Sequence, residues 1–153
     1  MPQSSQKLFS GGADCTVNLW DFESERNISM FKTSNSVFQA HSVASESCVL
    51  LEVAHRELQF ELRDIRMAPN GVAQRFGYHT AKFHGRHWKG DISSTRFASG
   101  SHDGAVRVWD VRKADRPYST TTCFPGRRIF QVAFNRSQLL AYSEDHHLAF
   151  SDP

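Results

Sequence analysis

The residue types that could perform chemistry in this chain are few, and the most suggestive of them stand side by side. Ser101, His102 and Asp103 are the three residue types of a hydrolytic triad. A triad is assembled from separate parts of a chain, whereas neighbours in a tight turn point apart, so this run indicates a turn. The sequence also lacks the Gly-rich phosphate-loop, His-Glu-x-x-His and Gly-x-Ser-x-Gly patterns. We therefore predict no enzyme activity, no catalytic residue and no cofactor.

The chain has eight histidines, a residue type that commonly binds metal ions. His84 and His87 are three residues apart, and His146 directly precedes His147. No cysteine stands near any of them at a spacing typical of zinc ligands. We therefore predict no metal site and expect His79 to be a hydrogen-bonded residue of the core.

A basic and aromatic stretch, YHTAKFHGRHWKGDISSTR, runs from residue 78 to residue 96. Phosphate contacts by its cations, with base stacking on Trp88, would suit single-stranded nucleic acid, and the same cations would suit an acidic peptide. The alternative, which we favour, is a solvated loop with Trp88 and Phe83 buried between structural units. If the stretch binds a partner, we favour a protein over nucleic acid. The partner-binding residues predicted from these and other basic positions are Arg86, Trp88, Lys89, Arg127 and Arg128.

The net charge of +2 is unevenly distributed along the chain. Residues 1–64 carry five Lys or Arg against nine Asp or Glu, residues 65–136 carry thirteen against four, and residues 137–153 carry three acids. This distribution predicts one basic sector of surface on an otherwise nearly neutral protein.

Four related blocks show which elements must position these residues. They are FSGGADCTVNLWD (9–21), EVAHRELQFELRD (52–64), ASGSHDGAVRVWD (98–110) and LAYSEDHHLAFSD (140–152), and they start 43, 46 and 42 residues apart. Each predicts two short strands joined by a turn that carries an acid, followed by alternating apolar and polar residues. Gly104 follows one of these acids and would allow a positive φ.

A period of this length, with Ser-Gly, a turn acid and Trp-Asp at fixed offsets, resembles the WD40 repeat family of β-propellers. The resemblance implies an all-β fold of antiparallel four-stranded blades. Segments 27–31 and 72–76 fit outer strands, and segments 36–40 and 129–134 fit innermost strands, whereas the pattern between 79 and 95 is poor. The resulting domain, residues 1–153, is an incomplete arc of two full blades flanked by two partial ones.

In the family that this chain resembles, a buried relay of hydrogen bonds links a Trp indole, a Ser or Thr hydroxyl, a His and the turn Asp. The resemblance implies a relay in the third repeat from Trp109, Ser99 or Ser101, Asp103 and His79. In the first repeat it implies Trp20, Ser10 and Asp14. Arg63 and Ser151 occupy the Trp position of the other two repeats, which we expect to rest on apolar packing alone.

Trp109-Asp110-Val111-Arg112 also resembles the W-D-x-R pattern of WD40 proteins that dock on the DDB1 adaptor of cullin-4 ubiquitin ligases. Asp110 and Arg112 would then make charge-assisted contacts with the adaptor. Because Trp-Asp is also the structural pair of the family, we favour a structural role. Residues 7–115 resemble, through few identities, the Cockayne-syndrome-A type of substrate receptor.

The 153 residues are too few for a closed ring of six to eight blades, which needs roughly 250 to 350 residues at this period. An open arc exposes apolar faces, so we expect a fragment of a longer protein or an arc completed by another chain. A truncated gene model fits equally, and a self-standing half-ring is the least favoured case.

The resemblance to the WD40 family implies a protein–protein interaction scaffold within a larger assembly. The three widely spaced cysteines favour the reducing interior of the cell, in the nucleus or cytoplasm. The absence of a long apolar run argues against a membrane partner. The alternatives are a substrate receptor that docks on DDB1, and an RNA- or DNA-associated factor that uses the basic segment 75–96.

Overall fold

The computed structural model describes residues 7–45, 47–67 and 71–152, which form fourteen strands in four antiparallel sheets. Each strand pairs with the strand next to it along the chain, so the connections are short turns and loops. Within the described residues there is no helical segment with the length and hydrophobicity that a membrane crossing requires.

We call the four sheets blades 1 to 4. Blade 1 contains β1 (Lys7–Gly11), β2 (Thr16–Asp21) and β3 (Arg26–Lys32). Blade 2 contains β4 (Val37–Ser42), β5 (Cys48–Val53), β6 (Phe60–Asp64) and β7 (Val72–Phe76). Blade 3 contains β8 (Asp91–Ser93), β9 (Arg96–Gly100), β10 (Ala105–Asp110) and β11 (Ser119–Thr122). Blade 4 contains β12 (Ile129–Asn135), β13 (Gln138–Ser143) and β14 (Leu148–Ser151).

Two four-stranded blades flanked by two three-stranded ones confirm the predicted arc. The four sequence blocks supply the neighbouring strands β1–β2, β5–β6, β9–β10 and β13–β14, as their period indicates. The strand that the sequence pattern left unassigned is β8, which has only three residues.

Three separate apolar clusters lie between successive blades and hold them together. Blades 1 and 2 bury a first cluster that includes Val17, Phe31 and Leu51. Blades 2 and 3 bury a second, and blades 3 and 4 bury a third around Ile129 and Leu139. Each blade thus packs only against its neighbours, as expected of a propeller.

The alternation of side chains along each strand determines which neighbour they meet. In β10, Val106 and Val108 join the cluster against blade 4, while Trp109 joins the cluster against blade 2. Because successive side chains in a strand point to opposite faces, one strand serves two interfaces. The same alternation in β5 sends Leu50 toward blade 3 and Leu51 toward blade 1.

Aromatic rings fill the interface between blades 2 and 3. The ring of Phe60 lies 4.8 Å from that of Phe97 and 5.2 Å from that of Trp109, both in edge-to-face contact. Phe76 lies 5.6 Å from Trp109. Contacts of this geometry add to the stabilisation that comes from burial of the rings. This is therefore the most extensive aromatic contact between the blades.

The turn acids identified in the sequence fix the turns inside the repeat blocks, such as those between β1 and β2 and between β9 and β10. The carboxylate of Asp14 accepts hydrogen bonds from the amide and hydroxyl of Thr16, and that of Asp103 accepts one from the amide of Ala105. The residue after the acid has a positive φ in three repeats, at Cys15, Gly104 and His146. The turn acid followed by a residue with a positive φ is a turn geometry that these three repeats share.

The two outermost faces of the arc carry exposed apolar side chains. On blade 1 these include Leu8, Ile28 and Met30, and on blade 4 they are Leu148 and Phe150, each more than half exposed. They alternate with the residues buried against blades 2 and 3, so they lie where a further blade would pack. We call these surfaces the end faces.

The positive φ of Gly104 provides a test of how tightly blades 3 and 4 are joined. A Cβ at Gly104 would lie 1.6 Å from the carbonyl oxygen of Phe124, whereas a Cβ at Gly126, which also has a positive φ, would have no atom within 4 Å. We expect Gly126→Ala to cost about 1 kcal/mol of unfolding free energy, from the backbone conformation alone. Gly104→Ala should cost about 3 kcal/mol or more, because the backbone must also move. Equal losses in urea unfolding would contradict this packing.

Candidate interaction surface

The loops that enter blades 2, 3 and 4 and the turns inside the four repeat blocks lie at one end of the arc, which we call the upper end. A cavity of about 530 Å³ opens there, where blades 2, 3 and 4 meet. Its lining comes from residues 78–82, 101–103, 126, 128 and 144. The other end, which carries the loop 111–118, is the lower end.

The loop 77–90 enters blade 3 at the upper end and is anchored by two buried rings. His84 is 1% exposed and Trp88 is 8% exposed. The Trp88 ring lies 4.0 Å from that of His102 and 5.4 Å from that of His84. This burial agrees with the favoured interpretation of the stretch, in which Trp88 packs between structural units, and it leaves little of the ring free to stack on a ligand. Phe83, which we had expected to be buried, is 56% exposed.

Glu52, fully buried on β5, ties this loop to blade 2. Its two carboxylate oxygens accept hydrogen bonds from Nε2 of His41 at 2.7 Å and Nε2 of His84 at 2.8 Å. The amide of Gly90 donates a third bond of 2.9 Å. Burial alone would raise the pKa of the Glu52 carboxyl, but the bonds from His41 and His84 outweigh burial and lower that pKa below its usual value.

A second buried ionic group lies between blades 1 and 2. Glu61 accepts hydrogen bonds from Arg63, at 3.0 Å and 3.2 Å, and lies 3.1 Å from Nε of Arg75. The Arg63 guanidinium also stacks over the ring of Phe31 at 5.1 Å. Blade 2 therefore does not rest on apolar packing alone. The sequence contained a signal for this ion pair, because Glu61 and Arg63 are two residues apart and therefore lie on the same face of one strand.

The relay implied by the family resemblance is formed only in part. In blade 1 the Trp20 indole donates to Ser10 Oγ at 2.8 Å, but Asp14 is bonded to Thr16. In blade 3 the Trp109 indole has no partner among the described residues, and Ser99 donates to the carbonyl of Gly100.

Arginine occupies the place that the relay would give to histidine in blade 3. Arg107 donates to Ser101 Oγ at 2.7 Å and to Asp103 at 2.7 Å, and its guanidinium lies 4.5 Å from the centre of the Tyr78 ring. His79 is instead exposed, with Nδ1 3.1 Å from the Glu57 carboxylate, because the longer turn of blade 2 brings Glu57 to it. The expectation of a core histidine at position 79 is therefore wrong.

Asp110 and Arg112 form a closed ion pair at the lower end. Arg112 Nε donates to Asp110 at 2.9 Å and its Nη2 at 2.5 Å, and these bonds hold the pKa of Asp110 at about 2. Asp64 and Arg66 repeat the same geometry in blade 2, where no Trp precedes the acid. The two charges of each pair neutralise each other within one turn.

Arg127 and Arg128 join the loop that enters blade 4 to the turn between β13 and β14. Arg127 is paired with Asp145, and Nε of Arg128 lies 3.2 Å from Glu144. The Arg128 amide also donates to the Glu144 carboxylate at 3.1 Å, and the Glu144 amide donates to the Arg128 carbonyl at 2.9 Å, which supports a structural role for Arg128. Arg86 and Lys89 are exposed on the loop 77–90 and have no ion pair among the described residues. Those residues also contain no cluster of ligands suited to a metal ion.

Comparison with known proteins identifies the repeats. The sequence profile described as "WD domain, G-beta repeat" matches residues 1–21 and 80–110. The chain is 30% identical over 139 residues to the ribosome biogenesis protein YTM1 of Scheffersomyces stipitis, covering 83% of this chain and 28% of that protein. YTM1 of Meyerozyma guilliermondii is 25% identical over 138 residues, covering 90% and 30%. The chain thus spans less than a third of these relatives.

Two solved structures have a similar fold. The computationally designed Ika4 protein superposes with a TM-score of 0.72 at 14% identity, covering 97% of this chain and 86% of Ika4. The designed Ika8 protein superposes with a TM-score of 0.70 at 14% identity, covering 98% of this chain and 44% of Ika8. At this identity the similarity concerns the fold alone.

The buried carboxylate of Glu52 is expected to be essential for stability. In Glu52→Gln the side-chain NH2 group takes the place of one carboxylate oxygen, so one of the buried donors from His41 or His84 loses its acceptor. The free energy of unfolding should fall by about 3 kcal/mol. Glu57→Gln is the matched control, since Glu57 also contacts a histidine but its side chain is 63% exposed. The control should change stability by less than about 0.5 kcal/mol. Similar losses in urea unfolding would refute a special role for Glu52.

Acid titration tests the contacts of Asp103. Partial burial would raise its pKa, but hydrogen bonds from Arg107, Ser101 and the Ala105 amide hold it at about 2, against 3.8 ordinarily. A pKa lowered by folding contributes stability above pH 3.8, and this stability is lost as the pH falls toward 2. Asp103→Asn should therefore have a lower Tm than the wild type at pH 5, with the difference shrinking by pH 2. A difference independent of pH would be evidence against these bonds.

Proposed function

The chain belongs to the WD40-repeat family, and from this we propose that it is a docking scaffold that holds other proteins in a larger assembly and catalyses no reaction itself. A scaffold needs a rigid surface, and rigidity here comes from the contacts between blades. The buried Glu52 joins blade 2 to the loop that enters blade 3, and a hydrogen bond of 3.1 Å from the Ile129 amide to the Ser101 carbonyl joins blades 3 and 4. Preorganised loops lose little conformational freedom when a partner binds.

We further propose that the assembly is one that takes part in ribosome production inside the cell. This proposal rests on the relatives, which are ribosome biogenesis proteins YTM1 of Scheffersomyces stipitis, Pyricularia oryzae and Meyerozyma guilliermondii and which match 72% to 90% of this chain. A fold alone does not determine a function, so the relatives rather than the propeller support this part of the proposal.

The observation that carries the scaffold proposal is the apolar character of the two end faces. Leu8, Ile28 and Met30 on blade 1, and Leu148 and Phe150 on blade 4, expose more than half of their surface. Contiguous apolar surface of this kind marks a place where another protein packs. We propose that a further chain, or a further segment of the same protein, covers these faces and completes the propeller.

Docking on the DDB1 adaptor is a weaker candidate. It rests on Trp109, Asp110 and Arg112, and the indole of Trp109 is fully buried while Asp110 and Arg112 bind each other. An adaptor would have to break that ion pair before it could use either charge. The relatives described above are not ubiquitin-ligase receptors by name, so the scaffold in ribosome production is the stronger proposal.

A test changes the end face of blade 4 and measures which proteins remain attached. The double variant Leu148→Ser and Phe150→Ser should release at least one tightly bound protein from the tagged chain purified from cells, because apolar contact area is lost. Tyr118→Ser is the control, since Tyr118 is 51% exposed at the lower end of blade 3. The scaffold proposal fails if the double variant keeps every protein that the control keeps. The proposed role in ribosome production fails if no ribosome-assembly protein co-purifies with the wild type.

A further inference from the structure

A basic surface at the upper end is left unused by the contacts described so far. It consists of five exposed side chains of the loop 77–90 and one from the turn of blade 2, namely Lys82, Phe83, Arg86, His87, Lys89 and Arg56. We call this set the basic platform. Arg56 lies outside the stretch that the sequence pattern identified, and only the fold brings it to Phe83.

The backbone of the platform is fixed on both sides although it contains almost no regular strand. The amide of Thr80 donates to the Arg56 carbonyl at 2.9 Å, which joins the loop to blade 2. The Lys89 amide donates to Phe130 at 2.8 Å, and the Lys89 carbonyl accepts from Val132 at 3.0 Å, which joins it to blade 4. The exposed side chains therefore start from a preformed surface, and a ligand need not order the loop.

The cations of the platform lack internal partners. Arg56, Lys82, Arg86 and Lys89 make no ion pair with any described residue, in contrast to Arg127 and Arg128 at the same end. The acid nearest in sequence to Arg56 is Glu57, and it contacts His79. A sector of positive charge that the protein does not neutralise attracts a polyanion.

An exposed aromatic ring indicates which class of polyanion fits the basic platform. Phe83 is 56% exposed, and the Arg56 guanidinium stacks at 4.6 Å from the centre of its ring. An acidic peptide needs only the cations, whereas a single strand of nucleic acid also needs a flat surface on which a base can stack. An exposed ring with a stacked guanidinium, on the same loop as three cations without ion pairs among the described residues, therefore fits a nucleic acid strand better.

We propose that the basic platform binds single-stranded RNA, with Lys82, Arg86 and Lys89 contacting phosphates and with Phe83 and Arg56 stacking against a base. The choice of RNA over DNA rests on the proposed function, because particles in ribosome production contain RNA. The platform would then hold an RNA segment of such a particle while the end faces hold protein. Trp88 supports this surface from below and does not touch the RNA.

The direct test is a fluorescence anisotropy titration of the purified protein with a labelled 12-nucleotide uridine strand. The triple variant Lys82→Ala, Arg86→Ala, Lys89→Ala should weaken binding by at least about tenfold near 100 mM salt. It should also reduce the slope of log affinity against log salt by about 2, since three phosphate contacts are lost. The control variant Arg26→Ala, Lys113→Ala, Arg116→Ala removes the same charge from exposed positions at the lower end and should bind like the wild type. Equal weakening in both variants would overturn the proposal.

Phe83→Leu separates RNA from an acidic peptide, because it removes the ring and keeps every charge. It should weaken RNA binding by about fivefold or more and leave binding of an oligoglutamate peptide unchanged. Unchanged RNA binding, or a peptide that binds more tightly than the RNA, would mean an acidic protein is the partner and would refute the RNA site. A DNA strand of the same sequence should bind no better than the RNA.

Thermal unfolding of each variant controls for folding. If the triple variant unfolds, Phe83→Leu and the wild-type salt slope still decide the question, since a flat slope excludes phosphate contacts. The outcome is independent of the proposed scaffold role. Loss of RNA binding with normal protein co-purification refutes only the platform, and the reverse result refutes only the scaffold.

Discussion

The structure depends on one constraint: each blade can bury its two apolar faces only against the blades on either side. The alternation of side chains along β5 and β10 sends one set of residues to each neighbour, so the three clusters between the blades are linked through shared strands. At the two ends of the arc no described blade packs against the outer face, so Leu8 and Phe150 remain exposed. The need of each blade for a neighbour on both faces therefore explains both the rigid middle of the arc and the exposed apolar surface at its ends.

Buried polar contacts reinforce this packing beside the apolar clusters. Glu52 connects blade 2 to the loop 77–90 through His84 and Gly90, and the buried Glu61 holds Arg63 against Phe31 of blade 1. The buried Glu52 carboxylate has three hydrogen-bond donors and that of Glu61 contacts two arginines, as burial of a carboxylate requires. The result is a loop that has little regular secondary structure and nevertheless presents its cations in a fixed arrangement, which is the physical basis of the proposed RNA contact.

Much of the fold could be predicted from the sequence because the repeat period and the turn acids are local signals. Asp14, Asp103 and the positive φ of Gly104 behave as the pattern predicted. The site was less predictable. Trp88 is buried against His102, as the favoured interpretation expected, but Phe83 is exposed beside Arg56, and both contacts involve residues that are distant in the sequence. For the same reason no local pattern could place His79 beside Glu57, or pair Glu52 with two histidines.

The central claim is that the end faces are covered when the protein works. Amide hydrogen exchange tests it most directly, by comparing the chain alone with the chain in the assembly purified from cells. We predict that strands in the middle of the arc, such as β5 and β10, exchange slowly in both samples, and that β1 and β14 become protected only in the assembly. Equal exchange of β1 and β14 in the two samples would show that nothing packs on the end faces and would contradict the account.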